Sequence, residues 1–78
     1  MPTILRLFGF RFFFYSNEGN EPPHIHIEYG DGVAKFWLEP LVELDYSIDL
    51  KSREIAQAQR LVIENQELLK KAWHEYFG

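Results

Sequence analysis

Residues 24–39 carry the pattern that most constrains what this chain can fold into. They contain Asp31-Gly32, a pair that a two-residue type I′ turn prefers because both of its central residues need positive φ. Apolar and polar residues alternate on both sides of this pair, as they do in a strand with one buried face. We therefore predict a β-hairpin with its turn at Asp31-Gly32. The predicted cross-strand pairs are Glu28 with Lys35, His26 with Trp37, and His24 with Glu39.

The two faces of this hairpin differ in chemistry. One face is apolar and predicts a core surface: Ile25, Ile27, Tyr29, Ala34, Phe36 and Leu38. The other collects imidazoles, carboxylates, an ammonium group and an indole: His24, His26, Glu28, Lys35, Trp37 and Glu39. We expect any function that the sequence reveals to lie on this second face.

The chain has 78 residues and no cysteine. That length predicts a single domain over residues 1–78 with a small core, which neither a disulfide nor a thiolate metal site can stabilise. The net charge of −4 disfavours general nucleic-acid binding, which depends on neutralising phosphates, so RNA is a weakly supported partner. No stretch approaches the ~20 apolar residues that span a bilayer, and Arg6 and Arg11 interrupt the apolar N-terminal stretch. We expect a cytoplasmic protein without a secretory signal and without a membrane partner.

The N-terminal part of the chain predicts one more strand and a loop. Residues 7–15 are rich in β-forming side chains and are apolar on both faces, which is typical of an interior strand. Phe8, Phe10, Phe12 and Phe14 share one face, and Arg11, Phe13 and Tyr15 share the other. The Asn, Gly and Pro content of residues 16–23 predicts an irregular loop.

The C-terminal half predicts a strand or loop and then helix. Alternation over residues 44–50 suits a fourth strand, whereas Pro40 and the acidic content suit a structured loop. Ser52 is a predicted N-cap with Glu54 in the first turn, and apolar residues then follow helical spacing. Asn65 interrupts this stripe, so we expect either two helices, 52–64 and 66–77, or one long helix.

These elements together predict an α+β fold, with a small, mostly antiparallel sheet of three or four strands and a C-terminal helix or helix pair on one face. The predicted core residues are Phe10, Phe12, Ile25, Ile27, Phe36, Leu38, Val62, Leu69 and Trp73. The other face would leave Arg11, Phe13, Tyr15 and Trp37 uncovered, and a large exposed aromatic patch is unusual on a monomer. We expect these four residues to form an interface, in a homodimer or with another small protein.

His24 and His26 are the candidate functional residues. They lie two apart on a predicted strand, so both imidazoles point the same way, and imidazole binds zinc, nickel, copper or iron well. One interpretation is a divalent transition-metal site that uses both histidines with Glu28 and Glu39, and His74 from the helix as a further ligand.

Two other interpretations of the histidines stay open. They can act as general acid and base in a metal-independent ribonuclease, with Lys35 or Arg11 steadying the phosphate. Alternatively, they only pack and hydrogen-bond beside Trp37. Whether the protein is an enzyme is therefore undecided by the sequence.

Glu18 lies in the irregular loop that precedes the histidines. Its side chain either orders the loop through hydrogen bonds to the backbone or reaches the histidines and orients them.

Several segments in order resemble a family of small bacterial proteins, the domain-of-unknown-function family 4160. The segments that carry the resemblance are Met1-Pro2-Thr3-Ile4, residues 10–18, Glu21-Pro22-Pro23-His24-Ile25-His26-Ile27, residues 34–40 and residues 72–78. The Asn-Glu, Pro-Pro-His-x-His and Phe-Trp-Leu-Glu-Pro pieces are specific. Many members resemble Asn-Glu-His before the prolines, where this chain has Gly19. If that histidine completes a metal site elsewhere, this chain must use Glu18, Glu28, Glu39 or His74 instead.

The resemblance implies a cytoplasmic protein of a two-gene module that looks like a toxin–antitoxin arrangement. Members are often encoded beside another small protein, which is the partner that the resemblance implies. The chain would act through protein–protein interaction, or as a nuclease toxin that uses His24 and His26. The alternative is a small metal-binding protein with the same two histidines as ligands.

Overall fold

The computed structural model describes residues 3–78, so Met1 and Pro2 of the family motif lie outside the described residues. The fold is α+β, as predicted, but the sheet has five antiparallel strands in the order β1-β2-β3-β4-β5 rather than three or four. The elements are β1 (Thr3–Leu7), β2 (Phe10–Phe13), β3 (His24–Tyr29), β4 (Gly32–Trp37), β5 (Glu43–Ile48), α1 (Ser52–Glu64) and α2 (Gln66–Phe77).

The first hairpin corrects the prediction of one interior strand over residues 7–15. Leu7 pairs with Phe10, so Phe8 and Gly9 form a two-residue turn with φ of 51° and 86°. Positive φ at both positions is the type I′ geometry. Phe8 was expected on the core face, but it lies at the tip of the turn and is 75% exposed. The alternating phenylalanines conceal this turn, because a bulky aromatic residue rarely adopts positive φ.

The central hairpin forms, but its register differs from the prediction by two residues. Tyr29 pairs with Gly32, so the turn is Gly30-Asp31, and Gly30 has a φ of 57°. Glycine at the first central position is typical of a type II′ turn. The observed pairs are His24 with Trp37 and His26 with Lys35, so the predicted pairs His24–Glu39, His26–Trp37 and Glu28–Lys35 are wrong. A shift of two leaves every side chain on its predicted face, whereas a shift of one would exchange the faces.

The ambiguous segment after Pro40 is a strand. It pairs with β4, and the pairs Lys35 with Tyr46 and Phe36 with Leu44 leave Asp45 as an extra residue on β5. Such a bulge bends the strand and increases its twist.

The two-helix alternative is confirmed, with the break at Asn65. Asn65 has a φ of −114°, and its side-chain amide donates to the carbonyl of Leu61 at 2.8 Å. The N-cap of α1 is Lys51 rather than Ser52, because the Glu54 carboxylate accepts a hydrogen bond from the Lys51 backbone N–H at 2.8 Å. No helix within residues 3–78 is long and apolar enough to cross a membrane.

Both helices pack on the predicted core face of the sheet. Helix α1 contacts β4 and β5, and α2 contacts β3. All nine predicted core residues are buried. The side-chain amide of Gln66 donates to the carbonyl of Leu38 at 2.8 Å, which ties the start of α2 to the end of the hairpin. We call the opposite face of the sheet the open face. It carries Arg11, Phe13, His24, His26, Lys35 and Trp37.

Candidate metal centre

The two histidines lie at the start of β3, just after the Pro22-Pro23 pair. Neither proline can donate a backbone hydrogen bond, but the carbonyl of Pro23 accepts from the Leu38 N–H at 3.0 Å. The ladder between β3 and the end of β4 therefore extends to the beginning of the histidine strand. His24 is 0% exposed and His26 is 5% exposed.

The Glu18 carboxylate lies between the two imidazoles. Its Oε1 is 3.0 Å from Nε2 of His24, and both of its oxygens are 2.9 Å from Nε2 of His26. Of the two alternatives for Glu18, contact with the histidines is therefore observed, and its carboxylate also accepts a loop backbone hydrogen bond. These are the three residues of the described chain whose ligand atoms all lie within 4.8 Å of one another.

The loop that carries Glu18 is held by several hydrogen bonds. Oε1 of Glu18 accepts a hydrogen bond from the backbone N–H of Tyr15 at 3.2 Å. The backbone carbonyl of Glu18 accepts one from the N–H of Glu21 at 3.1 Å. The Lys35 ammonium group binds the Glu21 carboxylate at 2.8 Å. The loop that positions Glu18 is thus held by backbone hydrogen bonds within the loop and by the ion pair between Glu21 and Lys35 of β4.

The hydrogen bonds of His24 determine which of its nitrogens is free. Nδ1 lies 2.9 Å from the carbonyl oxygen of Pro22, and because that oxygen only accepts, Nδ1 carries the proton. Nε2 of a neutral ring then has a lone pair. Nε2 is buried and has no hydrogen-bond partner among the described residues, because Oε1 of Glu18 is close but misaligned. Two acceptors 3.0 Å apart in a buried site require a cation or a further proton nearby.

The shifted pKa values favour an ionised Glu18 and a neutral His26. Burial lowers the pKa of His26 and outweighs the opposing effect of the Glu18 carboxylate, so the neutral imidazole is favoured. Burial alone would raise the pKa of Glu18, but the two neighbouring imidazoles outweigh it and the pKa falls, so the carboxylate stays ionised. Nε2 of His26 donates to this carboxylate, so a metal ion that binds there must displace the Nε2 proton.

Aromatic rings enclose the histidines and fix their orientation. The ring of His24 lies against Trp73 and Trp37, with centroid distances of 4.7 and 5.6 Å. The ring of His26 lies against Tyr15 and Phe13, at 4.6 and 5.6 Å. These rings help to bury the imidazoles and limit their rotation.

The donor set fits a transition-metal ion. Bonds of 2.0–2.2 Å to histidine nitrogen and carboxylate oxygen place tetrahedral ligands about 3.3 Å apart, which is close to the Glu18–histidine distances. The hydrogen bond from Nδ1 of His24 to a backbone carbonyl is the usual support for a histidine that binds metal through Nε2. Two histidines and one carboxylate also leave at least one coordination position open.

The other predicted ligands lie elsewhere. Glu28 contacts Arg11, with 3.5 Å between Oε1 and the guanidinium, and Glu39 lies 3.4 Å from His74 at the end of α2. The carboxylate beside His24 and His26 is therefore that of Glu18, and not that of Glu28 or Glu39. The signal for Glu18 in the sequence is its place in the loop before Pro22, but spacing alone does not select it from the other acidic residues.

The four predicted interface residues lie on the open face with unequal exposure. Phe13 is 3% exposed and Tyr15 is 40% exposed, and Trp37 is half-buried. Arg11 lies over the Phe13 ring at 4.3 Å. The loop over residues 14–23 covers part of the face that was expected to be bare.

The comparison with protein families matches residues 9–74 to the domain of unknown function (DUF4160). The chain belongs to this family. Comparisons of the chain with curated proteins and with solved structures gave no match. Within the DUF4160 domain, Gly19 lies against the end of α2, and a Cβ atom there would be 3.0 Å from the Phe77 ring. A larger residue at position 19 therefore requires Phe77 to move.

Proposed function

We propose that this DUF4160 protein binds one divalent transition-metal ion through Glu18, His24 and His26. The observation that carries the proposal is the buried, unpartnered Nε2 of His24, which faces an ionised carboxylate and a second imidazole. Zinc, nickel, copper and iron all accept this donor set. When bound, the ion would cross-link the loop to β3 and offer a Lewis-acidic position to a small ligand.

Metal analysis and titration test this proposal on the untagged protein. We expect close to one equivalent of metal by elemental analysis after dialysis against zinc, and saturable binding of zinc or cobalt(II) by calorimetry. Glu18→Gln, His24→Phe and His26→Phe should each reduce affinity by at least about tenfold.

Matched controls come from residues of the same type outside the centre. Glu28→Gln and His74→Ala should bind like the wild type, because both side chains contact other partners. Equal loss of binding in these controls, or wild-type protein that retains no metal, would contradict the proposal.

The nuclease alternative receives less support from the geometry. A general acid and base must reach the substrate, whereas both imidazoles are buried and face Glu18. Lys35 binds Glu21 and Asp45, and Arg11 binds Thr3 and Glu28. The cations that would steady a phosphate therefore already have carboxylate or hydroxyl partners.

We also propose a protein-interaction role, in the two-gene module that the family resemblance implies. The supporting observation is that Tyr15 and Tyr46 are 40% and 42% exposed, and tyrosine often contributes strongly to interfaces. Light scattering at micromolar concentration, alone and with the product of the neighbouring gene, tests this role. Tyr15→Ser with Tyr46→Ser should weaken the complex, and a wild type that stays monomeric in both cases would contradict it.

A further inference from the structure

The β1–β2 hairpin combines features that each cost stability. Phe8 has a φ of 51°, in a turn type that prefers Asn-Gly or Asp-Gly, and its side chain is 75% exposed. Arg6 lies directly opposite Arg11, and like charges in that position destabilise a sheet. The Glu28 carboxylate, 3.5 Å from Arg11, offsets only part of this repulsion.

Strained and exposed residues of this kind tend to persist where they serve a function. Here the hairpin presents an aromatic ring at its tip, with an exposed guanidinium group two residues before it. We call Phe8 and Arg6 the knob.

A groove of complementary chemistry lies at the opposite end of the strands. It is shallow and open to solvent, has a volume of about 570 Å³ and is lined by Pro22, Glu39, Pro40 and Lys70. The two proline rings are apolar, and the Lys70 ammonium group lies 3.3 Å from Glu67. The Glu39 carboxylate lies 3.4 Å from Nε2 of His74 but is 38% exposed, so it is the negative charge that an incoming cation would meet.

We propose that the knob of one copy docks in the groove of a second copy, with the Phe8 ring against the two prolines and Arg6 beside Glu39. The knob lies at the turn end of the sheet, whereas Pro22 precedes β3 and Pro40 follows β4. The contact is therefore head-to-tail, and it can continue from copy to copy rather than closing as a two-fold dimer. A single side chain in a groove makes a small interface, so the association is weak and transient.

Sedimentation velocity of the full chain at concentrations up to about 1 mM tests the proposal. The wild type should sediment faster as concentration rises, and Phe8→Asn and Glu39→Lys should each abolish this increase. Ile63→Gln, which removes a 53% exposed apolar side chain from α1, is the control and should associate like the wild type. Phe8→Asn should also raise the Tm by about 4–8 °C, because Asn-Gly suits the turn, so its loss of association cannot result from unfolding.

Mixing the two defective variants separates this contact from other modes of association. Phe8→Asn retains the groove and Glu39→Lys retains the knob, so an equimolar mixture should form a 1:1 complex and nothing larger. Metal binding should be unchanged in both variants, because neither residue belongs to the metal centre. A wild type that stays monomeric throughout, association that survives Phe8→Asn, or a mixture that forms no complex would each overturn the proposal.

Discussion

His24 is the residue on which the proposed metal centre most depends. Its ring is fully buried, Nδ1 donates to Pro22, and Nε2 has no hydrogen-bond partner within the described chain. A buried polar atom without a partner costs about 1–3 kcal/mol, and replacing it by an apolar group of similar shape can be neutral or stabilising. A metal ion bound to Nε2 would remove this cost.

His24→Phe separates the structural contribution of this residue from the functional one. Without metal, we expect the free energy of unfolding to stay within about 1 kcal/mol of the wild type, because the aromatic contacts with Trp37 and Trp73 remain. At a free metal concentration of 100 times Kd, only the wild type should gain about 2.7 kcal/mol. Urea unfolding with and without zinc measures both quantities, and an equal gain in the variant would contradict the ligand assignment.

Acid should destabilise the metal-free protein in two steps. The pKa of His26 is lowered from 6.5 because the ring is buried, so its contribution to stability is present above pH 6.5 and is lost as pH falls through the lowered value. The pKa of Glu18 is also lowered, from 4.5, and its contribution is lost at still lower pH. Urea midpoints across this range measure the effect, and His26→Phe should remove the upper step and reduce the lower one, because His26 is one of the two imidazoles that lower the pKa of Glu18. A stability that rises as pH falls below neutrality would show the opposite sign.

At the residue scale, the direction of a side chain is predictable from the sequence where a regular element fixes it. His24 and His26 alternate along a strand, so their common face follows from the pleat alone. Glu18 belongs to an irregular loop, and its contact with the histidines depends on how residues 16–23 fold back over the sheet. No periodicity encodes that path, which is why Glu28 and Glu39 were equally plausible ligands.

At the scale of the elements, turn chemistry decides the register of the sheet. Asp31-Gly32 and Gly30-Asp31 are both acceptable turn pairs, and the structure uses the second because Gly32 is needed in β4. A Cβ atom on Gly32 would lie 2.5 Å from the carbonyl oxygen of Asp49 and 2.5 Å from the Leu50 side chain. This contact joins residues 17 and 18 positions apart, so the sequence around the turn could not reveal it. The helix break was predictable because Asn65 interrupts a local pattern.

Alanine substitutions at the two glycines test the register. Gly32→Ala should cost about 1–3 kcal/mol, because the new methyl group overlaps a backbone carbonyl that cannot rotate away. Gly30→Ala should cost about 1–2 kcal/mol through its positive φ, without a steric clash, since nothing lies within 4 Å of its Cβ position. Thermal unfolding of both variants gives the comparison, and a neutral Gly32→Ala would contradict the packing between β4 and the residues after β5.

At the scale of the whole molecule, one small core must stabilise both helices and the sheet. Phe12 is 0% exposed at its centre, and Trp73 connects this core to the metal centre through its contacts with Phe14 and His24. A domain of this length has a net stability of roughly 4–12 kcal/mol. With no cysteine in the chain, a bound metal is the cross-link available to supplement the core.

A core deletion combined with metal should reveal this coupling. Phe12→Ala is expected to cost about 3–5 kcal/mol, which is a large share of the total stability. Because the proposed zinc site exists only in the folded state, saturating zinc should restore part of the lost stability in Phe12→Ala. The double variant Phe12→Ala with His24→Phe should show no recovery, because it lacks one of the three ligands. Urea unfolding of both variants with and without zinc measures the recovery.

Recovery in the double variant would place the metal outside the Glu18–His24–His26 centre. A loss of stability below about 1 kcal/mol for Phe12→Ala alone would contradict the packing of the core.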